Sequence, residues 1–344
     1  MSTFHEQLFG EQSFVQFTLD EAFIKGRSGL IIDNNCMVEL WDNGVLCFHP
    51  QGGTLKNSIL LSVGVHGNET APIEIIDQLV TDILAGKVAV RQTLLIVIAN
   101  PKAIKAGRRE IDENMNRLFN GALTSKDEDS DERRRSRTLM DYSRDFFSMD
   151  AHQKIHYDLH TAIRGSVYKQ FAVSPNPGDR IETEHQCLLL GQWGIEAILT
   201  TTQKSATFSA FTANTLGVTS FTLELGSAKP FGKNNITEFA AIVAGLREMI
   251  GGDVDLASER KVAKRFIVAA EVSKNTEAFR LLFASHIVNF TPFNVGDVLA
   301  TDKDYQYIVT KSGERILFPN ENVAIGQRAL VIVRPDENYI ENTL

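Results

Sequence analysis

Two short, almost purely apolar runs constrain this chain most. Residues 58–65 read SILLSVGV and residues 93–99 read TLLIVIA. Neither alternates as a half-wet strand does, so each is expected to be a strand covered on both faces, as in parallel sheets. Between them Ile73, Ile76, Leu79, Val80 and Ile83 recur at helical spacing, and Pro72 suits a first helical turn. Strand, helix, strand at this separation reads as a βαβ unit. Further strands are expected at 45–49, 154–159, 170–174, 196–201 and 218–225. A helix is expected over 236–250, stopped by Gly251-Gly252. The first 55 residues or so read as short strands and turns. The fold class that results is α/β, a mixed sheet with helices on both faces.

After a boundary between Gly251 and Glu259 the texture changes. Short strands are expected at 265–272, 287–290, 305–309, 315–318 and 328–333, with turn signals between them and little helical periodicity. This reads as a smaller C-terminal all-β domain of barrel or sandwich type. The division is 1–252 and 253–344, and the 344 residues of the chain have room for both at roughly 150 residues per domain.

The chain carries 35 Lys and Arg against 43 Asp and Glu, a net charge of −8, which argues against nucleic acid as a partner. No apolar run approaches the roughly 18 residues that span a bilayer, so a membrane is not expected as a partner either. The N-terminal residues carry Glu6 and Glu11 and show no basic region leading into an apolar one. Cys36, Cys47 and Cys187 are odd in number and irregularly spaced, which suits a reducing compartment. The expected setting is cytoplasmic, the expected partner is a small molecule, and an oligomer is compatible with the sequence.

The turn after the first buried run is Gly64-Val65-His66-Gly67-Asn68-Glu69. A His and a Glu three residues apart in a strand-to-helix turn can aim at one cation, and the glycines permit the tight backbone path. Imidazole and carboxylate suit zinc, whose catalytic sites commonly combine three protein ligands with water. Alone, His-x-x-Glu also occurs in ordinary surface loops. Asp158-Leu159-His160-Thr161 ends another buried strand. Sites in open α/β sheets collect at the carboxyl ends of strands, so His66, Glu69 and His160 are candidate ligands of one metal. Asp158 is either a partner that orients a ligand or a carboxylate capping a backbone amide. His5, His49, His152, His156, His185 and His286 lack such a context and read as ordinary surface or core residues.

Glu224 stands inside the apolar strand Thr222-Leu223-Glu224-Leu225-Gly226. A buried carboxylate needs a compensating reason. It is either a general base beside the metal or half of a buried ion pair with an arginine. The segment from Arg108 to Arg117 follows the second buried strand. Arg109 or Arg117 can grip a carboxylate or polarise a carbonyl, and Asn116 adds a neutral donor. The same residues also suit a charged helix face. Arg164 is a further cation close to the proposed metal, or a surface residue. The run KDEDSDERRRSR at 126–137 reads as a solvated loop or helix start.

The motifs GVHGNET, NMNRLF, DLHTAIRG and TLELG, in this order, resemble the aspartoacylase/desuccinylase family, whose fold is related to zinc carboxypeptidases. The resemblance covers about residues 40–250 and extends to the β-rich tail, which the family also has. DLHTAIRG points to the succinylglutamate desuccinylase branch. The resemblance implies one zinc ion per subunit on His66, Glu69 and His160, with Glu224 as general base and proton shuttle. It implies that Arg109 stabilises an oxyanion, that Asn116 and Arg117 hold a substrate carboxylate, and that Arg164 is a further carboxylate contact. The implied reaction is hydrolysis of N-succinyl-L-glutamate to succinate and L-glutamate, the last step of arginine degradation by the succinyltransferase pathway. Two rival readings are an aspartoacylase-like hydrolase of another N-acyl amino acid and a non-catalytic zinc-binding module. The second has no need of a glutamate at position 224.

Overall fold

The two apolar runs form adjacent central strands. The computed structural model describes residues 3–21, 28–32, 36–52, 56–120, 130–175, 178, 180–252, 254–337 and 339. Two short helices come first, α1 (Phe4–Phe9) and α2 (Phe14–Leu19). Three antiparallel strands follow: β1 (Ser28–Ile32), β2 (Cys36–Asp42) and β3 (Val45–Pro50). The βαβ unit is β4 (Ser58–Val63), α3 (Thr70–Leu84) and β5 (Thr93–Ile98), and the short α4 (Pro101–Lys105) follows it. A 3₁₀ turn at Met115–Arg117 leads towards α5 (Asp131–Ser148). Then come β6 (Lys154–Ala162), β7 (Gln170–Ser174), α6 (Arg180–Gln192), β8 (Ala197–Thr200), α7 (Phe208–Leu216) and β9 (Thr219–Ser227). After a 3₁₀ turn at Ile236–Phe239, α8 (Ala240–Gly251) ends this part, and Gly252 caps it at φ 78°. The C-terminal part is all strand: β10 (Lys264–Ser273), β11 (Arg280–Leu281), β12 (Val298–Asp302), β13 (Tyr305–Ile308), β14 (Arg315–Leu317) and β15 (Arg328–Pro335).

Among the described residues, twelve strands make one mixed sheet in the order β1-β2-β3-β5-β4-β6-β9-β7-β8-β10-β15-β14. β5, β4, β6 and β9 are neighbours and run parallel, so their carboxyl ends lie side by side. Every residue of β4 is buried, as expected of a strand covered on both faces. One face of the sheet, with Leu46, Phe48, Ile59, Leu61 and Ile96, packs against α1, α2, α3, α6 and α8. The other face, with Val45, Cys47, Leu60 and Leu95, packs against α5 and α7 through Phe146, Phe208 and Phe211.

The C-terminal all-β part is stitched to this sheet. β10 runs parallel to β8, and β15 and β14 extend the same sheet, while β11, β12 and β13 form a second, three-stranded one. An aromatic cluster of Tyr168, Phe171, Phe266 and Phe290 fills the join.

Several elements depart from the sequence reading. Residues 4–9 and 14–19 are helices. Thr3 and Glu6 form a reciprocal capping box (Thr3 Oγ1 accepts from Glu6 N, 3.1 Å; Glu6 Oε2 accepts from Thr3 N, 2.8 Å), and Ser13 caps α2. The expected strand at 287–290 is irregular backbone with an isolated bridge at Asn289 and a turn at Phe290, φ 64°. Helices α5, α6 and α7 are not expected from the sequence as full helices. α6 and α7 lack a clean apolar stripe, whereas α5 has one in Leu139, Met140, Phe146 and Phe147 behind a strongly charged first half, and it also buries Glu132, Ser136 and Ser143.

Candidate active site

The carboxyl ends of β4, β5, β6 and β9 bring the candidate residues together. Gly64 leaves β4 at φ 68°, and a Cβ there would lie 2.6 Å from Ile104 Cδ1. At Gly67 a Cβ would sit 2.2 Å from the Ala103 carbonyl carbon, so α4 closes directly on the turn. Only glycine admits this path. It places His66 and Glu69 beside His160, which lies near the end of β6. Glu69 occupies the N-cap position of α3 but makes no capping bond with its side chain. Its carboxylate turns to the site instead.

Glu69 is the centre of the cluster and is 3% exposed. Its Oε1 lies 2.9 Å from His66 Nδ1 and accepts from Arg109 Nη1 at 2.8 Å. Its Oε2 lies 2.8 Å from His160 Nδ1 and accepts from the Thr161 amide at 3.1 Å. Burial pushes this carboxyl up, but the two imidazoles override it and hold it well below the usual range. His160 is also buried, yet Asp158 and Glu69 raise its pKa well above the ordinary value. His66 is lowered, burial being the main cause.

The outer nitrogen of each imidazole is tied down. Asn114 Oδ1 accepts from the Asn116 amide at 3.0 Å, so it is also the acceptor for His66 Nε2 at 3.1 Å. Asp158 Oδ2 accepts from His160 Nε2 at 3.0 Å. With Nε2 protonated in both rings, both Nδ1 lone pairs point at the Glu69 carboxylate. That arrangement repels unless a proton or cation lies between them. Donor atoms of His66, Glu69 and His160 all lie within 4.8 Å of one another, a geometry one metal ion can share.

Behind Asp158 runs a buried polar chain. The Ser62 hydroxyl donates to Asp158 Oδ1 at 2.5 Å and lies 2.8 Å from His156 Nε2. His156 Nδ1 lies 2.7 Å from the Thr212 hydroxyl. Burial lowers the His156 pKa to about 4, so the ring is neutral near pH 7 and fits a chain of alternating donors and acceptors. His156 is therefore a satisfied core histidine, in line with the sequence reading.

Glu224 sits on β9 directly across from His160 on β6. Its Oε2 is buried with no hydrogen-bond partner, and it forms no ion pair among the described residues. Burial, reinforced by the Glu69 charge, pushes its carboxyl up to about 7. Arg109 is part of the cluster through Glu69. Asn116 Oδ1 accepts from the Phe208 amide that opens α7 (2.9 Å), which leaves its Nδ2 as the free donor group. Arg117 donates to the Asn116 carbonyl at 2.8 Å. Desolvation lowers the Arg117 pKa, and the nearby guanidiniums of Arg328 and Arg109 add to the effect while Glu110 opposes it.

Arg164 is placed differently from the others. Its guanidinium donates to three backbone carbonyls of the C-terminal part: Ser285, Ile287 (2.9 Å) and Pro319 (3.4 Å). Sequence reasoning missed Ser62 and Asn114. Ser62 carried a usable signal, a polar residue inside an apolar strand, which is the signal that singled out Glu224.

The Succinylglutamate desuccinylase/Aspartoacylase catalytic domain matches residues 56–250, a span that holds all the motifs above. The AstE/AspA barrel-sandwich hybrid domain matches residues 262–336. The chain belongs to the succinylglutamate desuccinylase/aspartoacylase family. A succinylglutamate desuccinylase of Shewanella frigidimarina is 38% identical over 313 residues, covering 90% of this chain and 91% of that one. One from Chromobacterium violaceum is 43% identical over 283 residues, covering 81% and 84%. The crystal structure of a succinylglutamate desuccinylase from Vibrio parahaemolyticus superposes with a TM-score of 0.89 at 32% identity, covering 97% of this chain and 98% of that one. Family membership accounts for both parts of the chain, the mixed α/β sheet and the all-β C-terminal domain. Among the described residues no helix is long and apolar enough to cross a membrane.

Proposed function

We propose that this member of the family hydrolyses N-succinyl-L-glutamate to succinate and L-glutamate, as the last step of arginine degradation through succinylated intermediates. The observation that carries the reading is the set His66, Glu69 and His160 converging at one point with the unpaired, raised carboxyl of Glu224 beside it. The donor set of two imidazoles and a carboxylate suits zinc, and the hydrogen bonds on both outer ring nitrogens leave Nδ1 of each imidazole to face it. A bound zinc ion supplies Lewis-acid polarisation of the scissile carbonyl and lowers the pKa of water towards about 7.

The chain's own residues do the rest. Glu224 takes a proton from the attacking water and delivers it to the departing amine nitrogen. The carboxyl lies near 7 in the metal-free chain, and a bound cation would draw it lower, towards the carboxylate form that accepts the proton. Arg109 keeps one N–H on Glu69, and its remaining N–H groups serve the developing oxyanion. Arg117 and the Asn116 amide hold a substrate carboxylate. Asp158 keeps His160 in the tautomer that presents Nδ1. The substrate bears several carboxylates, which fits a local excess of arginine on a chain of net charge −8.

With this reading goes a division into a catalytic unit, 1–252, and a β unit, 253–344, supported by the limits of the two matched domains. A cytoplasmic setting is supported by three buried cysteines, none of them in a disulfide among the described residues. The test is product analysis. Zinc-loaded protein incubated with N-succinyl-L-glutamate should yield succinate and L-glutamate in equal amounts. Intact substrate after long incubation would overturn the assignment.

A further inference from the structure

The charged run at 126–137 has no part in the chemistry above; residues 126–129 lie outside the described residues, but 130–137 open α5, and Glu132, Arg133 and Arg135 turn towards the protein. Glu132 is 1% exposed, and its Oε1 accepts from the Ile111 amide at 2.7 Å and from Asn100 Nδ2 at 3.4 Å. Arg135 donates to the Ala99 carbonyl (3.0 Å), the Ile98 carbonyl (3.1 Å), the Asn43 carbonyl (2.7 Å) and Asp42 (3.1 Å). It thus fixes the helix to the carboxyl end of β5. Arg133 grips Glu113 with both prongs, Nε to Oε1 at 2.5 Å and Nη2 to Oε2 at 2.6 Å. The α5 cap residue Ser130 donates to the same Glu113 oxygen. By contrast, Arg134 is half exposed and pairs with Asp131 of the same helix turn.

What these residues hold is the segment from Arg108 to Arg117. It has little regular structure, and besides the α5 contacts it is held by backbone bonds such as Gly67 N to the Arg109 carbonyl (3.1 Å), by Arg109 on Glu69, Asn114 on His66 and Asn116 on the Phe208 amide, and by the buried Met115. It carries Arg109, Asn114, Asn116 and Arg117. Glu113 directly precedes Asn114, whose Oδ1 holds His66 Nε2. A bidentate arginine–carboxylate pair fixes orientation as well as distance. Moving Glu113 therefore moves both the His66 strut and the substrate-holding residues.

The geometry assigns Arg133, acting through Glu113, as a positioning residue for the metal strut Asn114 and for the substrate loop, resting in the second part on the function proposed above. Arg133→Ala, Arg133→Lys, the charge swap Arg133→Glu with Glu113→Arg, and Arg134→Ala as control test it. Two readouts are taken at matched thermal stability: zinc retention against a chelator, which needs no substrate, and KM and kcat for N-succinyl-L-glutamate.

Arg133→Ala should weaken zinc retention three- to tenfold and raise KM about tenfold, with kcat changed less than threefold. Arg133→Lys, which keeps the charge but loses the fork, should fall between, the swap should recover most of the loss, and Arg134→Ala should match wild type. Unchanged zinc retention and KM in both Arg133→Ala and Arg133→Lys would overturn the assignment. So would a fall in thermal stability alone, or an equal effect of Arg134→Ala. Wild-type protein that fails to hydrolyse the substrate would instead count against the proposed function, and the zinc measurement still decides on Arg133.

Discussion

Replacing Glu224 by Gln should abolish turnover and at the same time stabilise the zinc-free protein at alkaline pH. The buried carboxyl titrates near 7 in the folded chain, against an ordinary 4.5. Between those pH values the folded chain binds more protons than the unfolded one, so stability falls as pH rises through the window and is level above it. At 1.36 kcal/mol per pH unit the full penalty is about 3 kcal/mol. Glutamine occupies the same place without the charge. The zinc-free variant should therefore exceed wild type by about 3 kcal/mol at pH 8 and by only about 1 kcal/mol at pH 5.5. Urea unfolding of chelator-treated protein at both pH values measures this. In the zinc-loaded enzyme the cation favours the charged carboxylate, so the difference should shrink. Turnover should drop by roughly 10²- to 10⁴-fold, the usual scale for a lost general base, with zinc still bound. A pH-independent stability difference, or a variant less stable at pH 8, would refute the buried, raised carboxyl. Retained turnover would remove Glu224 from the proton path.

Other perturbations separate the remaining roles. Arg164→Ala removes three bonds to C-terminal carbonyls, a loss of about 1–3 kcal/mol seen in thermal melts. It should reduce kcat/KM for N-succinyl- and N-acetyl-L-glutamate by the same factor, and a loss confined to the succinyl substrate would place Arg164 on the acyl carboxylate after all. Arg117→Ala should raise KM ten- to a hundredfold with kcat little changed, the scale of one lost charge-assisted contact; an unaltered KM would take Arg117 out of the pocket. Ser62→Ala leaves Asp158 short of a donor and should weaken zinc retention up to about tenfold in a chelator competition, whereas wild-type retention would show that His160 needs no such support.

The parts of the fold legible in the sequence are those whose pattern comes from burial on both faces. β4, β5, β6 and β9 read as apolar runs because helices cover the sheet on both sides, and the site residues stand out as polar interruptions at their ends. Glu224 was visible for this reason, and so was His160. The helices α5 and α7 were not. Their buried polar residues interrupt the apolar pattern: Glu132 in α5 and Ser209 and Thr212 in α7 meet partners distant in sequence, while Ser136 and Ser143 of α5 bond to carbonyls of their own helix. The N-terminal helices had a local signal, Thr3-x-x-Glu6, that was outweighed by the turn-rich texture around it. Arg164 shows the limit of proximity along the chain. It follows His160 closely, but the loop carrying it hydrogen-bonds to Asn289, so its side chain meets the β domain. That contact belongs to the tertiary structure and has no counterpart in local sequence.

The measurement that bears most directly on the central claim combines metal content with acyl specificity. Purified protein is loaded with zinc, its zinc-to-chain ratio is determined, and amine release is followed from N-succinyl-L-glutamate, N-acetyl-L-glutamate and N-acetyl-L-aspartate, with and without a chelator. One zinc per chain and chelator-sensitive turnover confined to the succinyl substrate is the predicted result. Preference for an acetyl substrate would contradict the acyl assignment, and zinc binding without turnover of any of the three would contradict the hydrolase itself.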